Sequence, residues 1–393
     1  MSTGDKQTQY IGIFNDSFPP IIDGVTQTVL NYVEWLRKKG NETCVVTPYN
    51  PVTVDVPYRV IRYFSLPIRS RKPYRYGYPK LDPYIWGKMR TTPFKLVHSH
   101  SPFAAGRLGV YVKKKQGVPL IGTFHSKYKS DLKHSFKLMP FCVPIIMKRI
   151  LNFYNACDEV WIPQASVEET VREYGYRGKV EVVPNGIDYG DLEIDNIKEY
   201  KASSKKECGL NDELSLLFVG QHIWEKGIGI ILDSLKLLKG KIPFKMTYIG
   251  EGYAKKELKS KIEAEGLQDC VRTLDVTTDR EKLGRYYAAA DIFLFPSRYD
   301  NAPLVVREAA SMCTPAIIPT GSTASEVIQN GVNGFLTDDT PEAYAALISQ
   351  LAQDKAGILE AGENARLTLV KGWEDVMEEV EDRYKKLIER KRR

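Results

Sequence analysis

Asp291-Ile292-Phe293-Leu294-Phe295-Pro296-Ser297-Arg298-Tyr299-Asp300-Asn301-Ala302-Pro303-Leu304-Val305-Val306-Arg307-Glu308-Ala309-Ala310 reads as an apolar strand, a polar loop and the opening turns of a helix. Such a loop lies at the carboxyl edge of a parallel sheet, where open α/β folds bind ligands. Asp300 falls in the loop and Glu308, eight positions on, falls on the helix. Carboxylates accept paired hydroxyls, which suits a polyol, and the stretch Asn301, Ala302, Pro303, Leu304 and Val305 offers free backbone N–H groups at a helix start, from every residue but Pro303, which suits an anion. A sugar nucleotide has both parts. Taken alone, the two acids read more readily as a loop acid and a solvated helix residue, so the rest of the chain has to decide.

Strand and helix patterns alternate from end to end, which predicts βαβ units and parallel sheets rather than a sandwich or a bundle. Strands are expected at Tyr10–Phe14, Thr43–Thr47, Leu96–Ser99, Leu120–Phe124, Val160–Ile162 and Val180–Val183. Helices are expected at Val25–Lys39, Ala104–Lys115, Val143–Asn155 and Ser166–Tyr174. A polar stretch, Asp188–Glu213, then separates this series from a second one at Leu214–Val219, Lys245–Ile249, Val271–Leu274, Ile292–Phe295, Ala316–Ile318 and Gly334–Leu336. The expectation is two Rossmann-like domains, 1–187 and 188–372, facing across a cleft. Past Gly372 an acidic amphipathic helix, Trp373–Tyr384, runs into a basic tail and is expected to complete the first domain.

The 393 residues, 43% of them hydrophobic, suffice for two or three packed domains. The polar start has no apolar core of a signal peptide, and no run approaches the roughly 18 apolar residues of a spanning helix, so a cytoplasmic location is expected. Cys44, Cys142, Cys157, Cys208, Cys270 and Cys313 stand singly, as reduced and packed thiols do. His98 and His100 share one face of a strand, where a metal pair is conceivable, but no third ligand accompanies them and no metal or other cofactor is expected. Charge is uneven: residues 59–149 hold 20 Lys and Arg against Asp82 and Asp131, a balance of +18, which leaves −11 on the remainder of a chain whose net charge is +7. The amino-terminal half should attract an anionic surface, such as an acidic leaflet or a nucleic acid.

Four elements occur in one order: Val183-Pro184-Asn185-Gly186-Ile187-Asp188, Gly220-Gln221-His222-Ile223-Trp224-Glu225-Lys226-Gly227, Ile249-Gly250-Glu251-Gly252, and the Asp300…Glu308 block. Together they resemble the P-N-G-[IV]-D, G-R-x3-E-K-G, G-x-G and E-x7-E elements of the retaining glycosyltransferases of family four, over nearly the whole chain. The resemblance implies the GT-B fold, two Rossmann-like domains with the last helix returning to the first, and a nucleotide-sugar donor, UDP-linked by kinship, as substrate. It implies that Glu308 accepts the ribose hydroxyls, that Lys226 meets the diphosphate, that Asp300 and His125 lie beside the sugar, and that Gly24, in the loop Asn15–Thr28, cradles the donor phosphate. It also implies that no protein nucleophile is needed. Two departures stand out. Gln221 replaces Arg, removing a charged hydrogen bond of roughly 1.5–3 kcal/mol. Asp300 replaces Glu, which moves the carboxylate back by about a bond length, where errors near 1 Å can change rates about a hundredfold.

Phe14-Asn15-Asp16-Ser17 with Gly24-Val25, His98-Ser99-His100-Ser101-Pro102-Phe103 and Thr123-Phe124-His125-Ser126-Lys127-Tyr128 are similar, within that family, to the bacterial diacylglycerol glycosyltransferases. Lys127–Phe141 mixes lysines with bulky apolar groups and can lie in a headgroup layer, or pack as an ordinary loop; Arg69–Tyr78 is a second basic, aromatic stretch. The leading expectation is hexose transfer to a membrane lipid on an anionic surface. The alternatives are the same donor chemistry on a polysaccharide or soluble acceptor, and a non-catalytic binder of nucleic acid or acidic polymer on the same fold.

Overall fold

A computed structural model describes residues 8–21, 23–68, 73–129, 132, 141–187, 189, 194–277, 279–298 and 300–392. Two compact units emerge, one of residues 1–185 with 373–393 and one of residues 186–372.

The first unit opens with β1 (Tyr10–Phe14), α1 (Gly24–Lys38), β2 (Thr43–Pro48), β3 (Arg59–Tyr63) and a small hairpin of β4 (Ser65–Pro67) and β5 (Arg75–Gly77). It continues through α2 (Ile85–Thr91), β6 (Phe94–Ser99), α3 (Ala104–Gln116), β7 (Leu120–Thr123), α4 (Cys142–Ala156), β8 (Glu159–Ile162), α5 (Val167–Glu173) and β9 (Val180–Val182). Seven strands form one sheet in the order β3-β2-β1-β6-β7-β8-β9, all pairs parallel. The near-continuous apolar strands follow from burial on both faces. One face packs Phe14, Val97, Leu108 and Phe153; the other packs Ile13, Val45, Leu96 and Trp161.

The second unit runs α6 (Ile194–Glu207), β10 (Leu214–Val219), α7 (Ile228–Leu238), β11 (Phe244–Ile249), α8 (Lys255–Ala264), β12 (Val271–Leu274), α9 (Arg280–Ala289), β13 (Ile292–Leu294), α10 (Leu304–Ser311), β14 (Ala316–Pro319), β15 (Phe335–Thr337), α11 (Pro341–Leu351) and α12 (Lys355–Leu369). Its parallel sheet has the order β12-β11-β10-β13-β14-β15. The expected doubly wound class is what both units display. Within Asp188–Glu213, read above as a plain polar connection, lies helix α6; a few inward residues, Ile197 and Ser204 among them, are buried, and the remaining face is too polar to announce a helix. β3 went unread because its arginines interrupt the apolar run.

The last helix, α13 (Trp373–Arg392), lies on the first unit against α1 and β6. Trp373, Val376, Met377, Val380, Tyr384 and Leu387 recur at helical spacing and are all buried, each apolar side chain contributing about 1.5–3 kcal/mol on full burial. The expected match of an acidic helix to a basic partner is only part of the docking. Glu378 pairs with Lys39, but Arg383, Arg390 and Lys391 meet Glu181, Glu159 and Asp158. Apolar burial holds the helix, and charge pairs of both polarities line its rim.

His98 ties α13 to the sheet: one ring nitrogen lies 2.6 Å from the Tyr384 hydroxyl and the other 2.6 Å from Thr123 Oγ1. Burial holds His98 well below the ordinary histidine range, and His222, packed near Phe218 and Tyr248 in the second unit, falls to about 4 through burial and the nearby Lys255 and Lys259. Both are neutral when folded, whereas the unfolded chain takes up their protons near pH 6.5. Stability is therefore fully present above about pH 6.5 and is lost as pH falls toward the folded values, and in the upper part of that window, above about pH 5, ordinary carboxylates stay mostly ionised. The urea midpoint should drop between about pH 7.5 and about pH 5; equal midpoints would contradict the assignment.

Candidate functional site

In the second unit the chain runs outward from β10 through β11 to β12, then returns to pair β13 on the other side of β10. Loops leaving the carboxyl ends of β10 and β13 must diverge there, which opens a crevice at the point where strand order reverses. The β10 loop carries Lys226 and the β13 loop carries Ser297 and Asp300. Lys226 Nζ bonds Asp300 Oδ1, and Ser297 Oγ donates to Asp300 Oδ2 at 2.7 Å. Both members of the ion pair are largely shielded, Lys226 at 14% and Asp300 at 20% side-chain exposure, so the attraction is screened less than at an open surface.

Glycines shape these loops by letting backbones touch. A Cβ on Gly250 would stand 1.9 Å from the Gly220 carbonyl oxygen, and one on Gly252 would stand 2.3 Å from that of His222. The G-x-G turn thus buttresses the β10 loop. Gly227 takes φ 74°, and a Cβ there would meet the Pro296 carbonyl oxygen at 2.7 Å, which seats the start of α7 against the β13 loop.

Helix α10 begins after Pro303, whose extended backbone forms the N-cap without a side-chain cap. Ala302, Pro303, Leu304 and Val305 are half-buried and Asn301 is buried, so the first N–H groups of the helix remain at a partly open end. Glu308 projects from the second turn and is 6% exposed. Arg280 Nη2 donates to its Oε1 at 2.9 Å and the Tyr287 hydroxyl donates to its Oε2 at 2.7 Å. A carboxylate has about four acceptor positions, so two are left for a ligand's hydroxyls. Neither Arg280 nor Tyr287 was singled out in the sequence. Asp279, which caps α9 by accepting from Lys282 N, was the available signal that Arg280 opens a helix. Arg280 also lies over the Tyr189 ring at 4.8 Å and supplies a second cation to the cluster.

In the first unit, His125 follows β7 at its carboxyl end. His98, His100 and His125 stack in turn, with centroids 4.2 Å and 5.2 Å apart, and His100 Nδ1 lies 3.0 Å from His125 Nε2. Burial lowers His125 to about 4, and burial with its two neighbours lowers His100 further below the usual range, so the row is uncharged at neutral pH. His98 has both ring nitrogens engaged with Tyr384 and Thr123, which leaves the imagined metal pair without its first ligand. Gly24 is exposed at the start of α1, where Asp23 Oδ1 already accepts from Thr26 N at 2.7 Å. A negative cap at that helix end competes with any phosphate there. Nearby Asp16 is half-buried, and its carboxylate accepts from Tyr63 and Ser101 hydroxyls and Ala105 N; desolvation raises it despite these bonds.

Comparison with known proteins agrees with this layout. The pattern named Glycosyltransferase Family 4 matches residues 22–190 and that named Glycosyl transferases group 1 matches residues 201–368. The alpha-monoglucosyldiacylglycerol synthase of Acholeplasma laidlawii is 27% identical over 362 residues, covering 86% of this chain and 87% of its own. The enzyme of that name from Streptococcus pneumoniae is 24% identical, with 87% and 78% covered. Among solved structures, sucrose-phosphate synthase from Thermosynechococcus elongatus superposes with a TM-score of 0.79 at 18% identity, covering 96% of this chain and 99% of that one. Anabaena HepE in complex with UDP-glucose superposes at 0.75 and 16% identity, with 96% and 100% covered. With both patterns matched in order and this fold, the chain belongs to the GT-B glycosyltransferases of family four and is a hexosyltransferase.

Proposed function

We propose that this enzyme transfers a hexose from a UDP-sugar to the free hydroxyl of diacylglycerol at an anionic membrane surface, with retention at the anomeric carbon. The observation that carries the donor half is the Lys226–Asp300 pair at the β10/β13 reversal with Glu308 on the adjoining helix. In the proposed step the bond from the anomeric carbon to the UDP oxygen breaks and the acceptor oxygen bonds that carbon. The acceptor proton passes to the departing diphosphate, and no protein nucleophile takes part. Lys226 balances the charge that grows on the diphosphate, and Asp300 holds the ammonium in place beforehand, a pre-organised electrostatic contribution. Glu308 accepts the ribose hydroxyls on the lone pairs that Arg280 and Tyr287 leave. His125, kept neutral by burial, hydrogen-bonds the sugar without bringing a charge to it.

The acceptor half is supported by the two relatives named as alpha-monoglucosyldiacylglycerol synthases and by the surface of the first unit. Phe141 and Ile145 are 68% and 53% exposed, one helical turn apart at the start of α4, with exposed Lys148 and Arg149 on the following turn. Leu66, Tyr76 and Tyr78, at and just after the β4–β5 hairpin, are exposed too. Apolar side chains beside cations suit the headgroup layer of an acidic leaflet. Most of Lys127–Phe141, residues 130, 131 and 133–140, and residues 69–72 of the second basic stretch lie outside the described residues. No helix among the described residues is long and apolar enough to cross a membrane.

Incubation of the enzyme with labelled UDP-glucose and vesicles containing diacylglycerol should yield labelled lipid with an α-linkage by NMR. Lys226→Ala should lower kcat about 10²–10³-fold. Label found only in soluble product would overturn the acceptor, and a β-linkage would overturn retention. In vesicle flotation, the protein should rise with acidic lipid at low salt, and Ile145→Ser should reduce that fraction; flotation equal on neutral and acidic vesicles would contradict the charged surface.

A further inference from the structure

On the first unit, Thr47 at the end of β2 and Arg62 on β3 are direct partners in the parallel register, so both side chains leave the same face of the sheet. Thr47 is 1% exposed and its Oγ1 has no hydrogen-bond partner; Arg62 Nη2 is likewise buried and unpartnered. Among the described residues Arg62 makes no ion pair. Buried donors without acceptors are rare and call for an explanation. Both residues line one narrow recess together with Asn50, Arg75, Asp16 and Phe18. Arg75 is fixed at its rim, its Nε donating to the Tyr49 carbonyl at 2.8 Å and its Nη2 to the Ser65 carbonyl at 3.0 Å. Among the described residues Asp16 makes no ion pair with either arginine; its carboxylate accepts from Tyr63, Ser101 and Ala105.

We infer that this recess binds a phosphate ester, one of whose terminal oxygens enters between Thr47 and Arg62. Guanidinium groups recognise phosphate through paired donors, and a hydroxyl beside them suits a further oxygen of a tetrahedral group better than a planar carboxylate. The recess is narrow, so the oxygen enters while the remainder of the ester stays outside. The shared chemistry is the phosphate; its source is either a soluble phosphorylated molecule or the headgroup of an anionic lipid. The inference does not depend on the donor assignment, which is carried by Lys226, Asp300 and Glu308 on the second unit, whereas every residue of the recess lies on the first.

The test uses the full chain with two probes. Glycerol 3-phosphate is titrated calorimetrically, and phosphatidylcholine vesicles with and without phosphatidic acid are used in flotation, for wild type, Arg62→Ala, Arg62→Gln, Thr47→Val and, as a charge control, the exposed Arg90→Ala. Loss of the charged contact should weaken binding about tenfold or more in Arg62→Ala and Arg62→Gln, and less in Thr47→Val, with Arg90→Ala unchanged. An effect in the titration identifies a soluble ester; an effect on acidic vesicles alone identifies a headgroup. Thermal unfolding checks that the variants fold, and UDP affinity should be the same in all. Equal binding by wild type and both Arg62 variants, or an equal loss in Arg90→Ala, would overturn the site and leave an unspecific charge effect; absence of saturable binding to either probe would overturn it as well.

Discussion

The second unit's chemistry depends on a reversal of strand order. Because β13 returns to the flank of β10 that β11 leaves free, the loops after β10 and β13 are neighbours although Lys226 and Asp300 are 74 positions apart. The ion pair across that junction is a consequence of topology: no local sequence preference could place an ammonium and a carboxylate there. Close backbone packing of Gly220, Gly227, Gly250 and Gly252 then leaves the loops little freedom, so the charged groups are held rather than found at the moment of use.

The first unit repeats the device with different residues. Its sheet reverses between β1 and β6, and His100 N donates to the Phe14 carbonyl at 2.8 Å while the Ser101 hydroxyl donates to Asp16. What gathers there is a row of uncharged histidines. Desolvation keeps them neutral, and His98, bonded to Tyr384 at one end and Thr123 at the other, anchors the row to both the closing helix and the sheet. The same burial that keeps the row neutral makes it a liability in acid.

Much of this was legible in the sequence because apolar period and turn chemistry are local. β1, β10 and β12 fall where the apolar runs begin and end, and the Asp300…Glu308 block lies on the loop and helix expected of it. What escaped was non-local or masked by polarity. Arg280 and Tyr287 reach Glu308 from a different helix, 28 and 21 positions away, and nothing near either residue points to that carboxylate. Strand β3 hid behind Arg59 and Arg62, and that Arg62 stands beside Thr47 is visible only once the two strands are paired. Helix α6 buries too narrow a stripe to separate it from a linker.

Glu308 and Lys226 are proposed to grip, together, the nucleotide half of an activated sugar. A crystal structure of the enzyme soaked with UDP tests it most directly. The expected result is ribose hydroxyls within hydrogen-bond distance of the Glu308 carboxylate, beside its bonds to Arg280 and Tyr287, and a diphosphate oxygen on Lys226 Nζ. Nucleotide bound elsewhere, with Glu308 still enclosed by those two residues alone, would contradict it.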